Sequence, residues 1–430
     1  MRILGAAAIF ICMALGCFIM AQGQSNNPEE IDPGIASLDT VWQTVNEFHY
    51  DSTFGGVDWK EIHDRYRKLA DKAENDDALI QLMNDMLGEL KVSHYAVFRM
   101  EKRAGSGSPL LSEGSLGIDL RILGNDAVIT YIDPDFPAAQ AGMKPGFIIK
   151  SINGLPVQEM MDEAAAGQVP HPNERARINS MCDEVVKCCF GQPGDTVAIS
   201  YEDEAGTSRD ITLQIKQRTC GTKFAEEFPT VYVDFKFEKL NDDIGYIYFS
   251  AVLPPADSLF ADAMKAMGDI RGLIIDIRGN PGGMHEIGET IASKLLSEST
   301  LFSLFRYRDS TVQVTVDPDP PVFEGPVAIL IDVMNGSASE RFSGCMQSVG
   351  RATIIGERSP GVVGPSDMKK LPNGATLMYL VAQSLTPDGI VLEGRGVIPD
   401  ISVALDRTAL LEGRDTQIER AIAYLMSELN

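Results

Sequence analysis

The chain has 430 residues, 44% hydrophobic and 23% charged, which suits a folded protein of two or three domains and excludes an extensively disordered one. Its formal net charge is −24, from 37 basic and 61 acidic residues. That balance disfavours non-specific binding to nucleic acid or anionic membrane, both of which need concentrated Lys and Arg. It names no substrate.

Arg2 precedes an uncharged run from Ile3 to Ala21, the charged-then-apolar pattern of a secretory signal peptide, and residues 1–23 are expected to act as one. The run nearly spans a bilayer, so an uncleaved anchor stays open, as does a lipid on Cys17. The expected location is periplasmic or extracellular, with membrane contact only through such an anchor. Beyond this segment stand Cys182, Cys188, Cys189, Cys220 and Cys345, an odd number that cannot all pair within one chain. An exported protein allows one disulfide within 182–220. No zinc spacing, nucleotide loop or cofactor lysine motif is present, so no metal or organic cofactor is expected.

Residues 24–36 read as a polar, proline-containing linker. Over 37–103 helical periodicity dominates, with Leu79, Leu82, Met83, Met86 and Leu90 on one face. The stretch AGSGSP at 104–109 breaks the pattern. Residues 113–217 carry short β-type runs (LGIDLRI, AVITYI, FIIKSI, TVAISYE, ITLQI) between Gly, Pro and Asp turns, predicting a mostly β domain. A charged, cysteine-containing stretch at about 160–190 interrupts it and reads as a helical excursion. From 224 to 430 strands and helices alternate: IGYIYFS, SLFADAMKAMG, GLIIDI, EIGETIASKLL, PVAILID and SERFSGCMQSVG, with a helix at the C-terminus. Strands apolar throughout are buried on both faces, which predicts a mainly parallel α/β sheet.

In open α/β sheets functional groups collect beyond the C-terminal ends of strands. RGNPGG at 278–283 follows GLIIDI, and its glycines let the backbone expose amide donors, as an oxyanion hole requires; a plain strand-to-helix turn or a phosphate cradle are the alternatives. NGSASE at 335–340 follows PVAILIDVM and sets Ser337 at the start of a helix, where developing negative charge is favoured. The competing reading is structural: Ser337 with Glu340 three residues on fits a capping box.

Together the two loops resemble the signature of the carboxyl-terminal processing and tricorn-core serine proteases. The likeness continues through GRATIIGERSPG at 350–361, LPNGATLMYLVAQSLTPDG at 371–389 and LEGRGVIPDI at 392–401, and covers most of residues 37–425. The stretch 115–157 is similar to the PDZ domain of those proteases, and LGELKVSHYAV at 87–97 to the helical segment before it. The resemblance implies a crotonase-like ββα arrangement in the catalytic domain, no cofactor, and polypeptide substrates recognised through their C-termini.

One departure decides the expected mechanism. Members with a serine–lysine dyad carry their lysine in a loop corresponding to SPGVVG at 359–364, and alignment from either side places it at Val362, which cannot accept a proton. Lys369 and Lys370 stand nearby out of register. The alternative branch uses Ser, His and Glu, and here Glu393 precedes G-R-G-V-I-P-D while His94 stands in LKVSHYAV. The resemblance therefore implies Ser337 as nucleophile, His94 as base and Glu393 as its orienting acid, with oxyanion donors at Gly282 or Gly283 and at Ala338. His285 is the rival base and Ser339 the rival nucleophile. In the PDZ-like part, the amides around Leu116, Gly117 and Ile118 are expected to hold a peptide carboxylate. The competing function is a catalytically inactive relative that binds peptides or partners.

Overall fold

The computed structural model describes residues 32–99, 107–166, 173–223 and 230–430. The expected signal segment, most of the linker and the middle of the 160–190 stretch lie outside the described residues. Among the described residues no helix is long and apolar enough to cross a membrane.

Three helices open the described chain: Pro33–Phe48, Trp59–Ala70 and Asp76–Gly88. The second and third start where sequence chemistry says they should, since Asp58 accepts the Glu61 N–H and Asn75 the Ala78 N–H, both at 2.9 Å. Their apolar faces meet through Leu38, Val41, Trp59, Ile62, Met83 and Met86. The helical reading of 37–103 then fails beyond Gly88. Lys91 and His94 adopt left-handed φ values of 54° and 60°, and Ala96–Phe98 becomes a strand. That strand pairs antiparallel with Thr376–Leu380, Ala96 opposite Met378. Leu371, Leu377 and Leu380 complete the helices' core, so this end of the chain is built on a platform from residues almost 300 positions later.

The next part is an antiparallel sheet of Ile118–Leu123, Asp126–Ile132, Ile148–Ile152, Thr196–Glu202 and Ser208–Gln214, neighbours in chain order, with Ile118–Leu123 on one edge. The excursion at 160–190 is helical where it is described, as Val157–Ala166 and Glu174–Lys187, and the second of these packs along the edge strand. The expected disulfide is absent: Cys182, Cys188, Cys189, Cys220 and Cys345 are all free. Cys182 and Cys189 lie in different apolar clusters, and Cys220 Sγ turns to Asp234 Oδ1 at 3.0 Å.

A six-stranded sheet runs Phe235–Lys239, Ile244–Phe249, Gly272–Asp276, Val327–Ile331, Thr353–Gly356 and Ile401–Ser402 in that order. Only the first pairing is antiparallel. Gly272–Asp276 and Val327–Ile331 are buried at all five positions, which explains their unbroken apolar sequence. Leu273, Ile275 and Ile329 face Phe260, Ile291 and Phe342 of the helices on one side. Ile274, Ala328 and Leu330 face Ala421 and Leu425 of the C-terminal helix Thr416–Glu428 on the other. Each such Leu or Ile contributes about 1.5–3 kcal/mol, so the ends of these central strands are firmly fixed in space.

Candidate active site

Two loops leave those central strands side by side. Asp332 Oδ1 accepts the N–H groups of Met334 at 2.9 Å and Gly279 at 3.1 Å, binding its own loop to the RGNPGG loop. Gly336 N–H donates to the Asn280 carbonyl at 3.1 Å and Asn335 Nδ2 to the Ile277 carbonyl at 2.6 Å. The approach is close enough to demand glycine at 282. A Cβ there, at φ +105°, would stand 2.7 Å from Ser337 Cβ and 2.8 Å from Ala338 N.

Ser337 precedes the helix Ala338–Ser348 with φ 50° and ψ −120°, a conformation that costs about 1–3 kcal/mol and is held only by its surroundings. Its N–H donates to the Val362 carbonyl at 2.7 Å. The capping-box alternative does not hold: Ser337 Oγ makes no cap bond, and Glu340 is fully buried on other partners. The Glu340 carboxylate accepts from Ser359 Oγ, from Gly361 N–H at 2.7 Å and from Val362 N–H at 2.8 Å. Burial lifts its pKa to about 8, against the pull of those three donors. Ser339, the rival nucleophile, is fully buried with its hydroxyl on the Asn280 carbonyl at 2.7 Å.

His94 stands across from this loop and is half-buried. Its Nδ1 lies 2.7 Å from Ser93 Oγ, and Ser93 Oγ lies 2.9 Å from Glu393 Oε2. The expected direct pairing of Glu393 with His94 is not the arrangement found, because Ser93 stands between them. A carboxylate can only accept, so the single Ser93 hydroxyl hydrogen goes to Glu393 and the Ser93 lone pairs take the hydrogen on His94 Nδ1. That leaves His94 Nε2 as the unprotonated, basic nitrogen. Glu393 also accepts Ser93 N–H at 2.7 Å and Val363 N–H at 2.8 Å, while burial raises its pKa above the usual carboxylate range. Burial lowers the His94 pKa to about 4, so the ring is neutral at neutral pH.

Ser337, His94 and Val362 line one cleft of about 1430 Å³. No hydrogen bond joins Ser337 Oγ to His94 among the described residues. His285 is not on this wall: its Nε2 lies 3.3 Å from Glu286 and its ring stands edge-on to Phe305. No lysine replaces the missing dyad partner, since Lys369 Nζ reaches Thr44 Oγ1 at 3.1 Å instead. Of the candidate oxyanion donors, Gly282 N–H is engaged by Asn280 Oδ1 at 2.9 Å. Among the described residues no partner engages the N–H of Gly283 or Ala338, and Gly283 is exposed. No group of three or more His, Cys, Asp or Glu side chains among the described residues could hold a metal.

The cleft continues between the edge strand Ile118–Leu123 and the helix Glu174–Lys187, past Ile118, Asp119, Asn179 and Val186. The expected carboxylate cradle differs in detail. Leu116 N–H donates to the Cys189 carbonyl and Gly117 N–H to Ser115 Oγ, both at 2.9 Å, so a peptide carboxylate would find two of the three amides occupied. Ile118 opens the strand opposite Ile132. Where this groove meets the catalytic loops, buried Arg121 bonds Asp332 Oδ2 at 2.5 Å and Asp119 Oδ1 at 2.6 Å.

Comparison with known proteins gives the family. The profile of Peptidase family S41 matches residues 243–403, and that of the tricorn protease C1 domain matches residues 36–88. Residues 243–403 thus carry a Peptidase family S41 domain. The chain is 24% identical over 367 residues to a carboxyl-terminal-processing protease of Synechocystis sp., spanning 84% of this chain and 78% of that one. It is 24% identical over 355 residues to the carboxy-terminal processing protease CtpA of Bacillus subtilis, spanning 81% and 68%. Its fold is similar to that of the photosystem II D1 C-terminal processing protease, with a TM-score of 0.57 at 19% identity, covering 89% of this chain and 97% of that one. It is also similar to mature CPAF, with a TM-score of 0.60 at 13% identity over 91% and 97%. Through this S41 domain the chain is a serine peptidase, similar along most of its length to carboxyl-terminal-processing proteases.

Sequence reasoning missed Ser93, Glu340, Arg121 and Asp332. A hydroxyl residue directly before His94 was the signal for the first, and an acid closing a wholly apolar strand was the signal for Asp332. Glu340 carried a misleading signal, because its spacing from Ser337 is that of a cap.

Proposed function

We propose that this peptidase is exported and cuts unfolded or loosely folded polypeptides with Ser337 as nucleophile, His94 as base and Glu393 acting through Ser93. The observation that carries the reading is the hydrogen-bonded chain His94–Ser93–Glu393 on the same cleft as a Ser337 held in a strained turn. His94 Nε2 takes the Ser337 hydroxyl proton as Oγ attacks the peptide carbonyl, and the imidazolium that forms is stabilised by Ser93 and Glu393. The tetrahedral oxyanion is received by Gly283 N–H and Ala338 N–H, and one such donor typically supplies about 3 kcal/mol. His94 then gives its proton to the leaving amine. Water repeats the sequence to release the acyl group.

The proposed organisation has an N-terminal part at 37–103, helical up to Gly88, a PDZ-like part at 113–217 and a catalytic part at 224–430. A substrate strand would add to the free edge of Ile118–Leu123 beside the helix Glu174–Lys187, with main-chain bonds giving affinity and the groove wall giving selectivity. A second reading, an inactive peptide-binding relative, draws support from Val362 in place of lysine and from the open gap between Ser337 and His94. Hydrogen bonds of this kind are often loose without substrate and tighten in the complex.

The test is cleavage of unfolded casein by wild type, Ser337→Ala, His94→Ala and Glu393→Gln, with fluorophosphonate labelling alongside. The expected result is cleavage and labelling by wild type and neither by Ser337→Ala. A folded wild type inert to both reagents would establish the inactive reading. Export is tested separately by fractionating cells expressing the chain with and without residues 1–23.

A further inference from the structure

Glu340 is a carboxyl with no solvent exposure and, among the described residues, no cation bonded to it. Burying such a group is costly unless it does something that an apolar side chain could not. All three of its donors come from one short strap, Ser359 to Val362. The next amide along, Val363 N–H, goes to Glu393 Oε2. Two carboxylates therefore fix three consecutive amides, Gly361, Val362 and Val363. That strap is the segment where the dyad enzymes resembled by the sequence would carry their lysine, and here its backbone takes up the contacts.

The arrangement at the helix start explains why the strap is held. In a capping box, a Glu at this position would accept the backbone N–H of Ser337 directly. Here the backbone of Val362 is interposed: its N–H is on Glu340 at 2.8 Å and its carbonyl is on Ser337 N–H at 2.7 Å. Ser337, strained at φ 50°, lines the cleft, and the Val362 carbonyl is the partner of its amide. Glu340 reaches the nucleophile through the backbone of a single residue.

We infer that Glu340 is a positioning residue for the nucleophile: by holding the Val362 backbone it fixes the turn that presents Ser337 Oγ. The inference rests on Ser337 being the nucleophile. Its chemistry is specific. The Glu340→Gln side chain has the same shape, but it turns an acceptor into an NH2 group. One oxygen can still serve Ser359 and Gly361, and the amide nitrogen then confronts Val362 N–H, donor against donor. The hydrogen bond broken is the one that bears on Ser337.

The experiment compares the full-length wild type with Glu340→Gln, Ser359→Ala and Ser337→Ala in turnover of fluorogenic casein, in fluorophosphonate labelling rate and in melting temperature. The expected result for Glu340→Gln is a fall of tenfold or more in kcat and in labelling rate, with KM within twofold of wild type, because the substrate groove is untouched. A merely structural role would lower the melting temperature and leave kcat per folded molecule unchanged. A kcat and labelling rate within twofold of wild type overturn the inference. Should Glu340→Gln fail to fold, Ser359→Ala decides. It removes one donor from the Glu340 carboxylate; slowed labelling in the folded protein supports the inference and unchanged labelling overturns it. Labelling that persists in Ser337→Ala would sink the nucleophile assignment instead, a separate failure that the panel distinguishes.

Discussion

Replacing Ser93 by alanine removes one hydroxyl and cuts the link between His94 and Glu393. The two hydrogen bonds that go with it are 2.7 Å and 2.9 Å long, and the first of them strengthens as the imidazole becomes cationic during attack. A hydrogen bond to a charged group is worth about 1.5–3 kcal/mol, which at about 1.4 kcal/mol per decade raises the barrier enough for a loss of about 10- to 150-fold in kcat. Glu393 keeps the backbone N–H groups of Ser93 and Val363, so the fold around it survives and the melting temperature should move by only a few degrees. The assay is turnover of fluorogenic casein with kcat and KM separated. KM should stay within about twofold, since Ser93 does not reach the substrate groove, and Ser93→Thr should restore most of the rate by returning a hydroxyl. A Ser93→Ala enzyme that turns over within twofold of wild type would refute the relay and return the orienting role to a direct Glu393–His94 contact.

Two further outcomes follow from buried charge. Arg121→Ala leaves Asp332 buried without its cation, which should cost about 3–5 kcal/mol in a urea titration; Arg121→Lys should recover only part, because one ammonium cannot reproduce the fork that serves both Asp119 and Asp332. A loss below about 1 kcal/mol would mean that the junction is wet. The pH dependence of stability has two opposed parts. Burial holds His49 and His94 near 4, below the ordinary 6.5, so the unfolded chain binds more protons in that window and stability falls as pH drops through it. Glu340, raised to about 8, binds its proton more tightly when folded, so its contribution is complete below about 4.5 and fades as pH rises through 8. The stability difference between wild type and His49→Gln should therefore shrink or reverse toward pH 4, and that between wild type and Glu340→Gln should shrink or reverse toward pH 9. Differences flat across both ranges would contradict these assignments.

Much of this was legible in the chain. GLIIDI and PVAILID announce strands buried on both faces, and the glycines of RGNPGG announce a close backbone approach, because burial and sterics act locally on those residues. Ser93 offered only its hydroxyl beside His94 as a signal, because its partner Glu393 stands 300 positions away and only the fold joins them. The strand Ala96–Phe98 was hidden for the same reason: three residues carry too little pattern, and their pairing partner lies at Thr376–Leu380. At Ser337 and Glu340 the local rule pointed the wrong way. The capping spacing is present, but a left-handed backbone at Ser337 turns the side chain away from the helix, and the carboxyl goes inward to the strap. A local rule broken at one position, with compensating contacts around it, is what a functional site is expected to look like.

The strand that carries the base to the nucleophile is three residues long. So short a ladder is expected to open at lower free energy than the two central strands Gly272–Asp276 and Val327–Ile331, which are buried at every position. When it opens, the imidazole leaves while Ser337 and the loop behind it stay as they are. Each molecule is then either armed or idle, and the armed fraction sets the measured rate. Weakening the seam between Ala96–Phe98 and Thr376–Leu380 would show up as a smaller count of working enzymes in an active-site titration, each turning over at full speed, rather than as a uniformly slower population.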